Sequence, residues 1–172
     1  MEMTGLDVET ERVLEIATII TDGNLNIVAL GPDLVVKQPL KVLKAMDDWN
    51  QKHHRKSGLY DLVRASKITV KQAEKQTLAF VKKYCFERIS PLCGNTIDQD
   101  RRFITKYMPK LGKYFHYRNI DVSSIKTLVK LWYPKDKKIP KKEEAHRALS
   151  DIRESIEELK YYREHYFTSK RT

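Results

Sequence analysis

The sequence predicts an α/β domain built on a mixed sheet flanked by helices, and three observations carry that expectation. Val13–Thr21 is β-branched and almost wholly apolar, as expected of a buried central strand. The turn signal Asp22-Gly23 follows it and leads into a further strand-like run, which makes a hairpin. Beyond residue 69, helical periodicities alternate with short strand-like segments, the order expected of α/β proteins.

Taken in order, residues 25–30 continue the hairpin, and 33–37 reads as a third strand closed by Gln38-Pro39. Residues 42–64 turn helical and polar, with a break at Ser57-Gly58. Residues 69–85 form an amphipathic helix. Ala73, Thr77, Phe80, Val81 and Tyr84 recur at helical spacing, while Lys71, Lys75, Lys82 and Lys83 fall outside the stripe. Pro91-Leu92-Cys93-Gly94 reads as a short strand stopped by glycine, and 98–108 as a helix. Residues 119–122 make another short strand and 123–132 another helix. Leu149, Ile152, Ile156 and Leu159 mark the apolar face of a last helix. Before it, 133–142 holds two prolines and five lysines, a solvated loop by composition, and 168–172 is expected to be a disordered tail. The division expected is one domain over residues 1–167.

The 172 residues suit one compact domain better than two. Gly and Pro number only 6 each and 41% of residues are hydrophobic, which excludes collagen-like, linker-rich and largely disordered chains. No apolar run approaches the roughly 20 residues of a membrane helix. The first residues lack the charged and apolar regions of a signal peptide. Cys85 and Cys93 make neither a disulfide framework nor a zinc spacing, so they read as reduced thiols of a cytoplasmic protein, Cys93 as a strand-packing residue. The formal charge of +10 points to a polyanionic partner.

Three acids stand at the ends of these elements: Glu2 at the start, Asp100 inside the helix after Gly94-Asn95-Thr96, and Asp151 opening the last helix. Carboxylates gathered in a basic protein have a use: they hold hard Mg²⁺ or Mn²⁺ ions against a phosphodiester, with a nearby histidine to take a proton from water. His146 is five positions before Asp151. On one helix the two would point about 140° apart, so they converge only if His146 precedes the helix. Taken singly, each residue has a commoner reading: a solvated glutamate, an aspartate complementing a helix dipole, a surface histidine.

Longer motifs carry a resemblance. They are Glu2-Met3-Thr4-Gly5-Leu6-Asp7, Pro91-Leu92-Cys93-Gly94-Asn95-Thr96-Ile97-Asp98-Gln99-Asp100-Arg101-Arg102-Phe103 and Tyr114-Phe115-His116-Tyr117-Arg118. Asp121-Val122-Ser123, His146-Arg147-Ala148-Leu149-Ser150-Asp151-Ile152-Arg153 and Tyr161-Tyr162-Arg163-Glu164-His165 complete the set. Over residues 2–167 the chain closely resembles the oligoribonuclease family of DEDD-type 3′→5′ exonucleases. The resemblance implies a ribonuclease H-like fold, two divalent cations (Mg²⁺ or Mn²⁺), and hydrolysis of RNA of two to five nucleotides, especially diribonucleotides, to 5′-mononucleotides. By the same resemblance Glu2, Asp100 and Asp151 are metal ligands and His146 is the general base. Leu6 and Trp49 are the pair that sandwiches terminal bases. Thr96, Arg118, Ser123 and His54 hold the 5′ phosphate, and Tyr117 reaches the site of a partner subunit in a homodimer.

Three departures from the family pattern stand out. Thr96 replaces the usual serine but keeps the hydroxyl, and Ser150 stands where the family often has aspartate. More consequentially, the first motif is Asp-x-Glu at the end of an apolar strand, and here only Met1 precedes Glu2. The first strand is therefore expected to be largely missing, the start being assigned too late. A second reading follows, that of an oligoribonucleotide-binding homologue whose turnover is impaired by the missing aspartate.

Overall fold

The computed structural model describes residues 1–133 and 147–167. The expected lysine-rich loop, His146 and the tail therefore lie outside the described residues, apart from Tyr133. The elements run β1 (Glu2–Met3), β2 (Val13–Thr21), β3 (Ile27–Val35), α1 (Leu40–Ala45), α2 (Asp48–Lys56), α3 (Leu59–Ala65) and α4 (Val70–Tyr84). They continue β4 (Leu92–Gly94), α5 (Ile97–Tyr107), α6 (Pro109–Tyr114), β5 (Asn119–Asp121), α7 (Val122–Trp132) and α8 (Ala148–Tyr162), ending in a π-helical turn, Arg163–Phe167. This is the expected mixed α/β arrangement of strands flanked by helices.

The hairpin forms because Asp22 accepts the backbone amides of Asn24 and Asn26, both at 2.8 Å, while Leu25 takes a left-handed conformation (φ 65°). Residues 25–30 and 33–37, read from sequence as two strands, instead share the single strand β3. The register explains it: Ala17 faces Asp33 but Ile19 faces Leu30, so Gly31-Pro32 bulges opposite Thr18. A bulge absorbs the amide that proline lacks. Gly31 is required by close approach, since a Cβ there would lie 2.5 Å from the Phe80 ring and 2.9 Å from the Thr18 carbonyl oxygen.

Adjacent residues of β2 point to opposite faces and feed two cores. Val13 packs with Ala73 and Val81 of α4 and with Phe103, Ile104 and Leu111; Leu14 packs with Leu43, Leu59, Tyr60 and Val63. Helix α4 starts in a capping box between Thr69 and Gln72. Its stripe buries Ala73, Thr77 and Val81, but Tyr84 is exposed. Glu74, absent from the expected stripe, is buried and accepts the backbone amides of Lys110 (2.6 Å) and Leu111 (3.2 Å), which caps α6.

The strands form two sheets. One is antiparallel, ordered β1-β2-β3; the other pairs β4 with β5 in parallel. Strand β1 covers β2 only through Glu2 opposite Glu15 and Met3 opposite Val13. Beyond that pairing, a cavity of about 380 Å³ separates Ile16–Thr21 from residues 91–94. The expected apolar face of α8 is half-buried for this reason: Ile152, Ile156 and Leu159 line the cavity, while Ala148, Ser155, Glu158 and Tyr162 are buried. Cys93 likewise is exposed and lines the cavity, which corrects its assignment as a packing residue.

Replacing Gly31 by alanine is expected to cost about 1–3 kcal/mol, because the added methyl meets a ring and a backbone carbonyl that cannot both retreat. Urea denaturation of Gly31→Ala measures this, and an unchanged midpoint would contradict the close approach of β3 and α4.

Candidate functional site

Glu2, Asp100 and Asp151 come from the start of β1 and from the first turns of α5 and α8. Helix N-termini favour negative charge, so both aspartates sit where the backbone itself offsets part of their repulsion. The Met1 α-ammonium lies with its nitrogen 2.8 Å from Asp100 Oδ1. Burial alone would lower the pKa of this amine. The Asp100 charge and hydrogen bond outweigh that, with Glu2 and Asp151 adding to the same effect, and the net shift is upward. Glu2 moves up as well, from 4.5 to about 7. Its burial is the main cause, the ammonium opposes it, and Asp151, Glu15 and Asp100 add to it.

Each of the three acids therefore acts on one buried cation. Among the described residues no three carboxylate, imidazole or thiolate groups stand at metal-binding spacing. Oxygen donors around a bound positive charge match the needs of a hard divalent ion in charge and ligand type.

The frame behind the cluster is polar. Glu15 on β2 is fully buried, and its Oε1 accepts Arg147 Nε (2.9 Å) and Nη2 (2.6 Å). Its Oε2 accepts the Ala148 amide at 2.8 Å. This hydrogen bond to Glu15, against a smaller opposing effect of burial, raises the Arg147 pKa further. Helix α8 begins at Ala148, and His146 lies outside the described residues.

A second cluster forms at the N-terminus of α5. Thr96, its N-cap, adopts φ 52° and ψ 38°, and its hydroxyl lies 3.2 Å from that of Ser123 on α7. The Thr96 amide also donates to Ser123 Oγ at 3.0 Å, and Ser123 donates to Asn95 Oδ1 at 3.2 Å. The Asn95 amide group in turn reaches Ser155 (2.8 Å) and Glu158 (3.2 Å) of α8. Asp121 caps α7 through the amides of Ser123 and Ser124; burial pushes its carboxyl upward, and its hydrogen bonds outweigh that and lower it.

The other expected site residues are placed as follows. Leu6 and Trp49 are 72% and 58% exposed, as a base-stacking pair needs, and Trp49 stacks on His53 with ring centroids 3.8 Å apart. Tyr117 is 75% exposed, with the Arg118 guanidinium 5.2 Å over its ring. His54 differs: it is 2% exposed and its Nε2 is 3.0 Å from the Met3 carbonyl oxygen, so it ties α2 to β1.

Sequence reasoning passed over the residues that hold these in place. Gln99 hydrogen-bonds the Leu6 carbonyl. Arg101 donates to the His116 carbonyl (2.6 Å) and to Asn119 Oδ1, fixing the loop that carries Tyr117 and Arg118. A lone acid within the apolar run Val13-Leu14-Glu15-Ile16 was the available signal for Glu15.

The raised pKa of Glu2 sets a pH dependence for the metal-free protein. Below 4.5 the side chain is protonated folded or unfolded, so it adds nothing. Between 4.5 and about 7 the unfolded chain releases a proton that the folded protein keeps, so stability falls as pH rises. The full span is at most about 3 kcal/mol. Urea titrations in chelator should show this slope, and Glu2→Gln should flatten it; an unaltered slope in the variant would assign the effect elsewhere.

Residues 1–159 match the exonuclease family model. The chain is 56% identical over 167 residues to an oligoribonuclease of Acinetobacter baylyi, covering 97% of this chain and 91% of that one. It is likewise 56% identical to an oligoribonuclease of Shewanella loihica, over 97% of this chain and 92% of the relative. An oligoribonuclease of Haemophilus influenzae is 57% identical over 166 residues, with 96% and 91% covered. With matches of this extent, the chain belongs to the exonuclease family, in its oligoribonuclease branch, and is a hydrolytic exoribonuclease.

Proposed function

We propose that this exoribonuclease trims RNAs of two to five nucleotides from the 3′ end, diribonucleotides above all, releasing nucleoside 5′-monophosphates. It would act in the cytoplasm as one exonuclease domain over residues 1–167, in a homodimer. The observation that supports this best is that Glu2 of β1 and Asp100 and Asp151 in the first turns of α5 and α8 act on one another electrostatically. Those three side chains would hold two Mg²⁺ or Mn²⁺ ions, which supply charge to the scissile phosphate and lower the pKa of the attacking water. His146 takes the proton from that water.

The chain's other residues select length. Thr96 and Ser123 present hydroxyls 3.2 Å apart, and with Arg118 they provide donors for a terminal 5′ phosphate. His54 contributes by fixing β1 against α2. Leu6 and Trp49 stack on bases without regard to identity. Tyr117, exposed beside Arg118, serves the partner subunit's site. A second reading is a binder of the same short RNAs with impaired turnover.

Incubation with a 5′-phosphorylated diribonucleotide and Mn²⁺ separates the two readings. Mononucleotide release supports the enzyme; retained binding without release supports the binder. Asp100→Asn should cut turnover by roughly 100-fold or more while the protein stays folded. Arg118→Ala should raise KM for the 5′-phosphorylated diribonucleotide by about 10–100-fold, the cost of one charge-assisted contact. The same change should matter far less for a diribonucleotide with a free 5′ hydroxyl. Equal losses on both substrates would remove Arg118 from the phosphate site.

A further inference from the structure

We propose that Glu15 is a positioning residue: by holding Arg147 and the Ala148 amide, it fixes the start of α8 and so sets where Asp151 stands relative to Glu2. The proposal rests on the reading of Glu2 and Asp151 as site carboxylates. Helix α8 has no capping side chain at its own N-cap, Arg147. A helix leaves its first amides without intrahelical partners. Glu15, 133 positions away in sequence, accepts one of them, at Ala148. It is a helix cap delivered from a strand.

The same carboxylate binds the guanidinium of the N-cap residue through two hydrogen bonds, an arrangement with far more angular definition than a single contact. The first turn then closes from the Asp151 amide to the Arg147 carbonyl oxygen at 3.0 Å. Any tilt at Arg147 is therefore passed to Asp151, one helical turn along. Arg147 also follows His146 directly in sequence.

Glu15 reaches the other side of the site as well. It is the register partner of Glu2, and its charge contributes to the raised pKa of Glu2. Opposed residues of an antiparallel pair project from the same face. One buried side chain thus contacts the helix carrying Asp151 and faces the strand carrying Glu2. An apolar residue would satisfy the core at this position at no desolvation cost. A fully buried carboxylate is costly unless its donors matter.

The test compares Glu15→Gln, which keeps the shape but offers a single oxygen, with Arg147→Lys, which keeps the charge but loses the paired donors. In Glu15→Gln, kcat for the diribonucleotide should fall by about 10–100-fold with KM within about twofold. Arg147→Lys should fall less, because the Ala148 cap survives. Mn²⁺ titration followed by electron paramagnetic resonance should show weaker binding in Glu15→Gln by a similar factor. Amide exchange should quicken in Ala148–Ile152 while α4 stays protected. An unchanged kcat in Glu15→Gln, or protection lost equally in all helices, overturns the positioning role. If the wild type neither binds Mn²⁺ nor releases mononucleotide, the proposed function fails. Local exchange at α8 still decides whether Glu15 holds the helix.

Discussion

Like-charged carboxylates cannot be gathered in a partly dry space unless positive charge is gathered with them, and this constraint shapes the whole centre of the molecule. Burial lifts Glu2 to about 7, and Asp151, Glu15 and Asp100 add to that rise. Three sources offset the repulsion. The Met1 ammonium sits against Asp100, the first turns of α5 and α8 present their backbone dipoles to the two aspartates, and Arg147 neutralises Glu15. Removing any of these would leave a buried charge unpaired, a larger cost than the loss of any one hydrogen bond.

The start of α5 then distributes that centre to the surface. Within a short stretch, Thr96 joins Ser123, Gln99 holds the Leu6 carbonyl, Asp100 takes the cation, and Arg101 ties down the loop of Tyr117 and Arg118. The segment holding Leu6, the carboxylate Asp100, the Thr96–Ser123 hydroxyl pair and the loop of Tyr117 and Arg118 are thus all tied to the start of one helix. The left-handed Thr96 is the conformational cost of that convergence, about 1–2 kcal/mol, and its amide and hydroxyl contacts with Ser123 repay it.

Much of this was legible in the chain because periodicity and punctuation are local. Val13–Thr21, the helix read over 69–85, and the short strands read at 91–94 and 119–122 stand within a residue or so of where their patterns put them. The misreadings come from non-local causes. Gly31-Pro32 looks like a strand break, yet a two-residue bulge lets β3 run through it. The apolar face of α8 looks like core, yet Ile152, Ile156 and Leu159 line a cavity. The acids and hydroxyls of the site were marked by motif. Glu15, Gln99 and Arg101 were not, since their partners lie far off in sequence and no spacing rule reveals them.

Charge and packing meet at the junction of β1 and β2. Where β1 pairs with β2, sheet hydrogen bonds join Glu2 to the main sheet; past it, apolar walls face each other across the cavity. Hydrogen bonding between strands does not link β2 to β4 in that region, so α8, packed on β2, and the polar cluster at its head carry the connection. Glu2, Asp100 and Asp151 repel one another across β1, α5 and α8, so positive charge brought among them would relieve that repulsion and favour the close arrangement of these elements.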